Sequence, residues 1–566
     1  MRWKLKPEID KSVVNKLKEE LQVDEVIAKL LVQRGITTFE EARLFFRPSL
    51  DNLHDPFLMK DMDKAVERIE RAIQDNERIL IFGDYDVDGT TSVALLYSFI
   101  HKEYNNVETY IPDRYAEGYG ISYQGIDYAS NQDVKLIISI DCGIKSIEEI
   151  AYAKELGIDF VICDHHLPGE ELPNASAILD PKREDCSYPF KELCGCGVGF
   201  KLIEAIAISR GEGIENLIPY LDLVVTAIVA DVVPIIGENR VLAYYGLKVI
   251  NENPRPGIKA LLSFYKQDYY SISDIIFKVA PKINAVGRLE HGKYAVDLLT
   301  KFTYSEALES ATAIITVNEE RRTIDQAITE KALVQIIENK EINNKSTVVF
   351  DSSWHKGVIG IVASRLIETY YRPTIVFTDS GDCLAASARS VKNFDIYKAL
   401  ESCSEYLIQF GGHKYAAGMT IKKEHYESFK QKFEEVVSNT IEEKDLIPEI
   451  EIDSILDLSL IQGKFIRILK QFEPFGPGNE RPVFLSQNVY DMGTGYTMGK
   501  NNEHLRLFVK QRGKEDISFV AVGFHFGRYH DYLLNRRFFD IVYTIEENFW
   551  KGRVSLQLLL KDMQLV

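Results

Sequence analysis

Apolar and polar positions along the chain fall into three successive styles. Through about residue 60, "SVVNKLKEELQ" and "TTFEEARLFF" space apolar residues three and four apart, which predicts amphipathic helices in an N-terminal accessory segment. From about 62 a regular alternation sets in. "DKAVERIERAIQ" puts Ala65, Val66, Ile69, Ala72 and Ile73 on one helical face, "RILIF" follows as a strand, and "TTSVALLYSFIHK" is the next helix. The continuous apolar runs "VKLIISI" and "FVIC" predict strands covered on both faces, with "VETYI" and "SAILDP" beside them. "SIEEIAYAKELG" reads as a helix with a capping box, Ser146 to Glu149, and a glycine stop at Gly157. Strands alternating with helices of this length predict an α/β fold: a parallel sheet, doubly covered, with right-handed crossovers.

A second α/β pattern begins near 346, where "STVVFD", "PTIVFT" and "CLAASARS" read as strands and "GVIGIVASRLIETY" as a helix. The stretch from about 304 to 340 is helical with few breakers and predicts a long connecting helix. After 450, "VYDMGTGY", "HLRLFVKQRG", "ISFVAVGF", "FDIVYTIEEN" and "RVSLQLLLKDMQ" alternate apolar and polar residues between turn signals, which predicts a small β-barrel of OB type. The expected division is 1–60, 61–303, 304–343, 344–447 and 448–566.

At 566 residues the chain exceeds a single core, and 45% hydrophobic content supports folded domains rather than disorder. The formal net charge of −18 argues against bulk attraction for nucleic acid, but leaves room for a local basic channel or for carboxylates offset by cations. The charged opening "MRWKLKPEID" lacks a signal-type apolar segment, and the most apolar stretch, "LDLVVTAIVADVVPII", carries Asp222 and Asp231 and is short for a bilayer. A soluble, cytoplasmic protein without a membrane span is expected. Seven scattered cysteines, with Cys194 and Cys196 the one tight pair, read as reduced thiols packed like small hydrophobes.

Candidate chemistry gathers at strand ends. "RILIF" runs into Asp84, Asp86 and Asp88, "LIISI" into Asp141, and "FVIC" into Asp164, His165 and His166. Ligands of an open parallel sheet sit beyond its carboxyl ends. "DYDVDG" alone could be a solvated acidic turn, with Gly89 allowing a sharp bend; it is not an EF-hand loop, since Leu95 stands at the twelfth position. Three successive strand ends with metal-type ligands point instead to a cation site, to which Asp231 could add a carboxylate. So many carboxylates raise one another's pKa and need cations. Oxygen ligands suit Mg²⁺ or Mn²⁺, imidazole favours Mn²⁺, and the ligand count allows two ions.

"GDYDVDG", "SIDCG", "CDHH" and "VADVVP" resemble the four motifs of the DHH phosphoesterase family, and "FGGHKYAAG" resembles the Gly-Gly-His motif of its associated DHHA1 domain. Across almost its full length, β-rich end included, the chain is similar to family members that degrade single-stranded DNA from the 5′ end. The resemblance implies metal ligands at Asp86, Asp88, Asp141, His165, His166 and Asp231. Asp84 would stand beside them as ligand or support, and either imidazole could orient water or phosphate instead. It also implies a phosphate grip from Arg288, Ser387, Arg389, the Gly411 and Gly412 amides and His413. Arg114, between Tyr115 and Tyr119, would line an entrance for unpaired bases, or belong to an aromatically packed loop. His355 precedes a helix start, as an anion site or a plain cap. Arg506, Lys510, Arg512 and Lys514 form a basic strip on the expected barrel, either a strand-binding surface or ordinary edge protection.

The implied activity is metal-dependent 5′→3′ exonuclease action on single-stranded DNA, releasing nucleoside 5′-monophosphates in recombination and repair, with a helicase and a single-strand-binding protein as partners. The alternatives are a family phosphodiesterase for short oligonucleotides or cyclic dinucleotides, and a non-catalytic nucleic-acid-binding scaffold. The barrel and the length speak against the first, and the filled ligand positions against the second.

Overall fold

The computed structural model describes residues 1–533, 537–550 and 553–565, so Val566, the last residue of the expected barrel, lies outside the described residues. The chain forms two compact units. One combines Met1–His54, Val232–Tyr245 and Glu449–Val566; the other combines Asp55–Asp231 and Gly246–Pro448.

The first unit opens on a strand absent from the sequence expectation, β1 (Arg2–Leu5). Three helices follow, α1 (Lys11–Leu21), α2 (Glu25–Val32) and α3 (Phe39–Phe46), the last opened by a Thr38–Glu41 capping box.

In the second unit α4 (Met62–Gln74) leads into β2 (Arg78–Gly83), α5 (Val87–His101) and β3 (Val107–Tyr110). Next come β4 (Val134–Ile140), α6 (Ile147–Glu155), β5 (Asp159–Cys163) and β6 (Ala177–Leu179). The sheet is parallel in the order β3-β2-β4-β5-β6. Its central runs are apolar because helices cover both faces: Ile79 to Phe82 and Ile137, Ile138 and Ile140 are fully buried. The strand order reverses beside β2, which opens the crevice between the carboxyl ends of β2 and β4. The expected Ser146 cap does not form, since Ser146 makes no side-chain bond to the helix; Gly157, at φ 74°, does end the segment. Two apolar helices, α7 (Gly195–Ser209) and α8 (Leu221–Ala230), pack against α5.

Further on, α9 (Ala280–Leu289) precedes the 35-residue α10 (Tyr304–Glu338). A mixed five-stranded sheet follows. The strand β7 (Thr347–Phe350) pairs in parallel with β8 (Thr374–Ser380) across α11 (Ile359–Thr369). The strands β9 (Cys383–Arg389), β10 (Leu407–His413) and β11 (Ala416–Lys422) are antiparallel. The last two contain the glycines and alanines of "FGGHKYAAG", whose weak strand preference hides them from periodicity.

Back in the first unit, β12 (Glu449–Ile452) pairs in parallel with β1, Arg2 opposite Glu449. After β13 (Ser454–Ile455) come β14 (Phe484–Asp491), β15 (Tyr496–Met498), β16 (His504–Gln511), β17 (Lys514–Gly523), β18 (Phe539–Trp550) and β19 (Arg553–Leu565). A barrel closes through the pairings β14–β18–β19–β17–β16–β14. Its core, around Phe484, Phe539 and Tyr543, is continuous with Leu17, Ile27, Leu30 and Leu31 of the first helices. No helix among the described residues is long and apolar enough to cross a membrane.

Candidate metal centre

Asp86 caps α5: its Oδ1 accepts the Gly89 N–H at 3.0 Å, which puts Asp88 inside the first helical turn. Gly89 therefore does not make the sharp bend expected of it. It lies in the helix, and a Cβ there would come 2.4 Å from the Asp84 carbonyl oxygen. Glycine lets the helix start press against the strand end. Asp141 follows β4 with φ 61°, a left-handed conformation that costs a non-glycine residue of order 1–3 kcal/mol and recurs at functional sites. Asp164, His165 and His166 follow β5, and Asp231 terminates α8.

These ends converge on His165. Its Nε2 lies 3.1 Å from Asp141 Oδ1, 3.7 Å from Asp231 Oδ2 and 3.8 Å from Asp88 Oδ2. Asp88, His165 and Asp231 can each turn one donor atom within 4.8 Å of the others, and so can Asp141, His165 and His166. His165 is thus common to two overlapping triads. Asp164 faces the other way: one oxygen accepts from His166 Nδ1 at 2.7 Å and from the His165 and His166 amides, and the other from the Ile144 amide at 2.9 Å. A carboxylate behind the imidazole fixes its tautomer and leaves Nε2 for the centre, so Asp164 orients rather than ligates. Tyr119 adds a ring on the open side, its hydroxyl 3.3 Å from His166 Nε2.

Charge crowding is visible in the acid–base behaviour. Burial, then Asp86, pushes Asp84 up to about 8. Burial, then Asp88 and Asp86, pushes Asp231 up to about 8. Burial and neighbouring carboxylates raise Asp86 and Asp141 as well, while burial lowers His165. Burial would raise Asp164 too, but the His166 imidazole and the amide donors outweigh it and hold this carboxyl below the usual range. Both oxygens of Asp84 and both ring nitrogens of His165 are buried without a hydrogen-bond partner. Such orphaned atoms ordinarily cost about 1–3 kcal/mol each. Five carboxylates crowded with two imidazoles, among them the orphaned Asp84 and His165, fit an oxygen-rich divalent cation site of the Mn²⁺ or Mg²⁺ kind.

A second cluster is cationic. Arg288, at the end of α9, donates to the Gly357 carbonyl at 3.0 Å, and its own carbonyl accepts from the Tyr115 hydroxyl at 2.6 Å. Burial, then Arg114, Arg321 and Arg389, lowers Arg288 to about 10, so four guanidinium groups share one neighbourhood. Arg114 lies 4.8 Å over the Tyr85 ring. Arg389 donates to Ser387 Oγ at 3.0 Å, and a Cβ on Gly360 would come 2.9 Å from both side chains, so the start of α11 leans on them. Across the mixed sheet, Arg389, Ala416 and His413 form one cross-strand row, and Ser387, Gly418 and Gly411 another. Gly411 and His413 therefore share a face with Ser387 and Arg389, two strands away; Gly412 alternates to the opposite face. His355 makes a local turn bond ahead of α11, its Nδ1 accepting the Gly357 N–H at 3.1 Å, and does not cap the helix, whose N-cap residue is Val358. Arg321 carries no sequence signal, being one arginine in a long helical run, and the role of Asp164 emerges only from its bonds.

Residues 78–228 match the DHH family, N-terminal domain, residues 343–439 the DHHA1 domain and residues 452–562 the RecJ OB domain. The chain is 37% identical over 567 residues to the single-stranded-DNA-specific exonuclease RecJ of Bacillus subtilis (strain 168), covering 99% of this chain and 70% of that one. It is 32% identical over 560 residues to the protein of the same name from Salmonella typhimurium (strain LT2), covering 95% of each. The crystal structure of RecJ in complex with Mn²⁺ from Thermus thermophilus superposes with a TM-score of 0.84 at 26% identity, over 100% of this chain and 79% of that one.

Proposed function

The chain belongs to the RecJ family of single-stranded-DNA-specific exonucleases, and from that premise we propose that its strand-end carboxylates and imidazoles hydrolyse DNA from the 5′ end. It is an exonuclease acting on single-stranded DNA with Mn²⁺ or Mg²⁺. The observation that carries the proposed site is the convergence of Asp88, Asp141 and Asp231 on His165 Nε2, within 3.1–3.8 Å.

Asp86, Asp88, Asp141, His165, His166 and Asp231 would hold two cations, with Asp84 beside them. When bound, these would supply Lewis-acid polarisation of the phosphoryl group and a water acidic enough to attack near neutral pH. Asp164 holds the His166 Nδ1 proton, which leaves Nε2 facing the reacting side. Arg288, Arg389 and Ser387 would grip the terminal phosphate, with Arg114 at the entrance and Gly411 and His413 on the same sheet face alongside, because guanidinium forks pair with phosphate oxygens. Products would be nucleoside 5′-monophosphates.

The proposed division assigns 61–303 to the DHH domain, 304–343 to a connecting helix, 344–447 to the DHHA1 domain, 448–566 to strand binding and 1–60 to an accessory segment. A helicase and a single-strand-binding protein as partners, a cytoplasmic location and a role in recombination and repair complete the reading. Incubation with Mn²⁺ and a long single strand labelled at either end, beside a duplex and a trinucleotide, tests it. The 5′ label should be lost first from the single strand, and Asp141→Ala should abolish hydrolysis at an unchanged melting temperature. Preference for the trinucleotide, or loss of the 3′ label first, would reject it.

A further inference from the structure

Cys194 and Cys196 flank a glycine at the start of α7, and the thiols are not what this stretch contributes. The Gly195 N–H donates to Asp88 Oδ2 at 2.7 Å and the Cys196 N–H to Asp88 Oδ1 at 2.8 Å, so the first helical turn straddles one carboxylate. The next N–H, that of Gly197, is taken by Cys194 Sγ at 3.4 Å, which makes Cys194 the helix cap. A helix N-terminus also carries partial positive charge toward whatever faces it. The same stretch bears on a second carboxylate. A Cβ on Gly195 would lie 2.6 Å from Asp141 Cβ and 2.8 Å from Asp141 Oδ1, closer than real Cβ atoms approach. Asp88 and Asp141 come from different strand ends, and each is 2% exposed.

We infer that Gly195 and the Cys196 amide are positioning residues of the metal centre, clamping Asp88 by two N–H donors and leaving room for Asp141 by the missing side chain. They act through these carboxylates, and the Cys194 and Cys196 thiols do not ligate metal. The inference rests on the reading of Asp88 and Asp141 as ligands. It also explains a glycine where helix propensity favours alanine: alanine would displace Asp141.

Mn²⁺ titration of the full-length protein, followed by the electron paramagnetic resonance of free Mn²⁺, tests this beside thermal melting. Gly195→Ala should weaken Mn²⁺ binding by about 10- to 100-fold, the range for lost supports behind a ligand, while the metal-free protein still melts cooperatively. Cys196→Pro removes one donor without placing a Cβ at 195, within the first helical turn, and should weaken binding in the same direction. Gly197→Ala is the control: the nearest side-chain atoms to its Cβ would be those of Leu193 and Cys194, no closer than 3.3 Å, and Mn²⁺ affinity should match wild type. In turnover, Gly195→Ala should lower kcat and leave KM for DNA in place, and excess Mn²⁺ should recover part of the rate. Wild-type affinity in both Gly195→Ala and Cys196→Pro, or an equal loss in Gly197→Ala, overturns the clamp while Asp141→Ala still fails to bind. Full Mn²⁺ affinity in Asp141→Ala would instead overturn the ligand reading, and the clamp with it.

Discussion

Asp84 is a carboxylate with no exposure to water and no hydrogen bond to either oxygen. Burial and Asp86 move its pKa from 3.8 to about 8, so the folded metal-free protein holds a proton there that the unfolded chain has released. Because the folded value is the higher one, the resulting stability is complete below the unfolded pKa and disappears as pH rises through the folded pKa. Asp231, also raised to about 8, adds the same sign. In the presence of a chelator the melting temperature should fall between about pH 5 and pH 8, Asp84→Asn should flatten part of that fall, and Mn²⁺ should restore stability at the alkaline end. Calorimetric melting across that range measures it, and a rising melting temperature would contradict the electrostatic account. Asp84 therefore bears on the centre as a buried carboxyl that a neighbouring cation would help to ionise, whether or not it contacts the ion.

At the scale of elements, Arg240 ties the segment Val232–Tyr245 to the rest of its unit. Arg240 is 4% exposed and donates to the carbonyls of Phe45, Gln471, Phe472, Glu473 and Pro474, with its guanidinium 3.8 Å over the Phe45 ring. The Phe45 carbonyl lies at the end of α3, where the last carbonyls lack helical partners and a cation satisfies them. Arg240→Ala would take this donor from the Phe45, Gln471 and Glu473 carbonyls, while those of Phe472 and Pro474 keep Asn479 Nδ2, so the barrel unit should lose about 2–4 kcal/mol in urea unfolding, and Arg240→Lys should recover only part because an ammonium lacks the fork. Nothing in the sequence announces Arg240, since its partners are backbone groups that every residue carries. The same holds for the amides of Gly195 and Cys196, and it explains why the "CGC" pair reads first as packed thiols. What was legible had side-chain chemistry or period behind it: the apolar runs of β2, β4 and β5, the acidic and imidazole groups at their ends, and the alternation of β16. Gly89 was legible as special but for the wrong reason, because a close approach to Asp84 and a sharp bend both call for glycine.

For the molecule as a whole, a chain of net charge −18 degrades a polyanion, so attraction has to be local. One local source is the barrel strand β16, where Leu505, Leu507 and Val509 point into the core. Arg506, Phe508 and Lys510 alternate with them on the other face, and the Arg506 guanidinium lies 5.8 Å from the centre of the Phe508 ring. A cation beside an aromatic face suits phosphates and unpaired bases together. If Arg506 and Lys510 each meet a phosphate, Arg506→Ala with Lys510→Ala should reduce the slope of log affinity against log salt by about 1.4, at roughly 0.7 per contact on single strands. KM for a long strand should rise accordingly, while hydrolysis of a trinucleotide, too short to need the barrel, should keep its rate. Equal losses on both substrates would mean that the barrel strip supports folding rather than strand capture, and an unchanged salt slope would remove it from the binding surface.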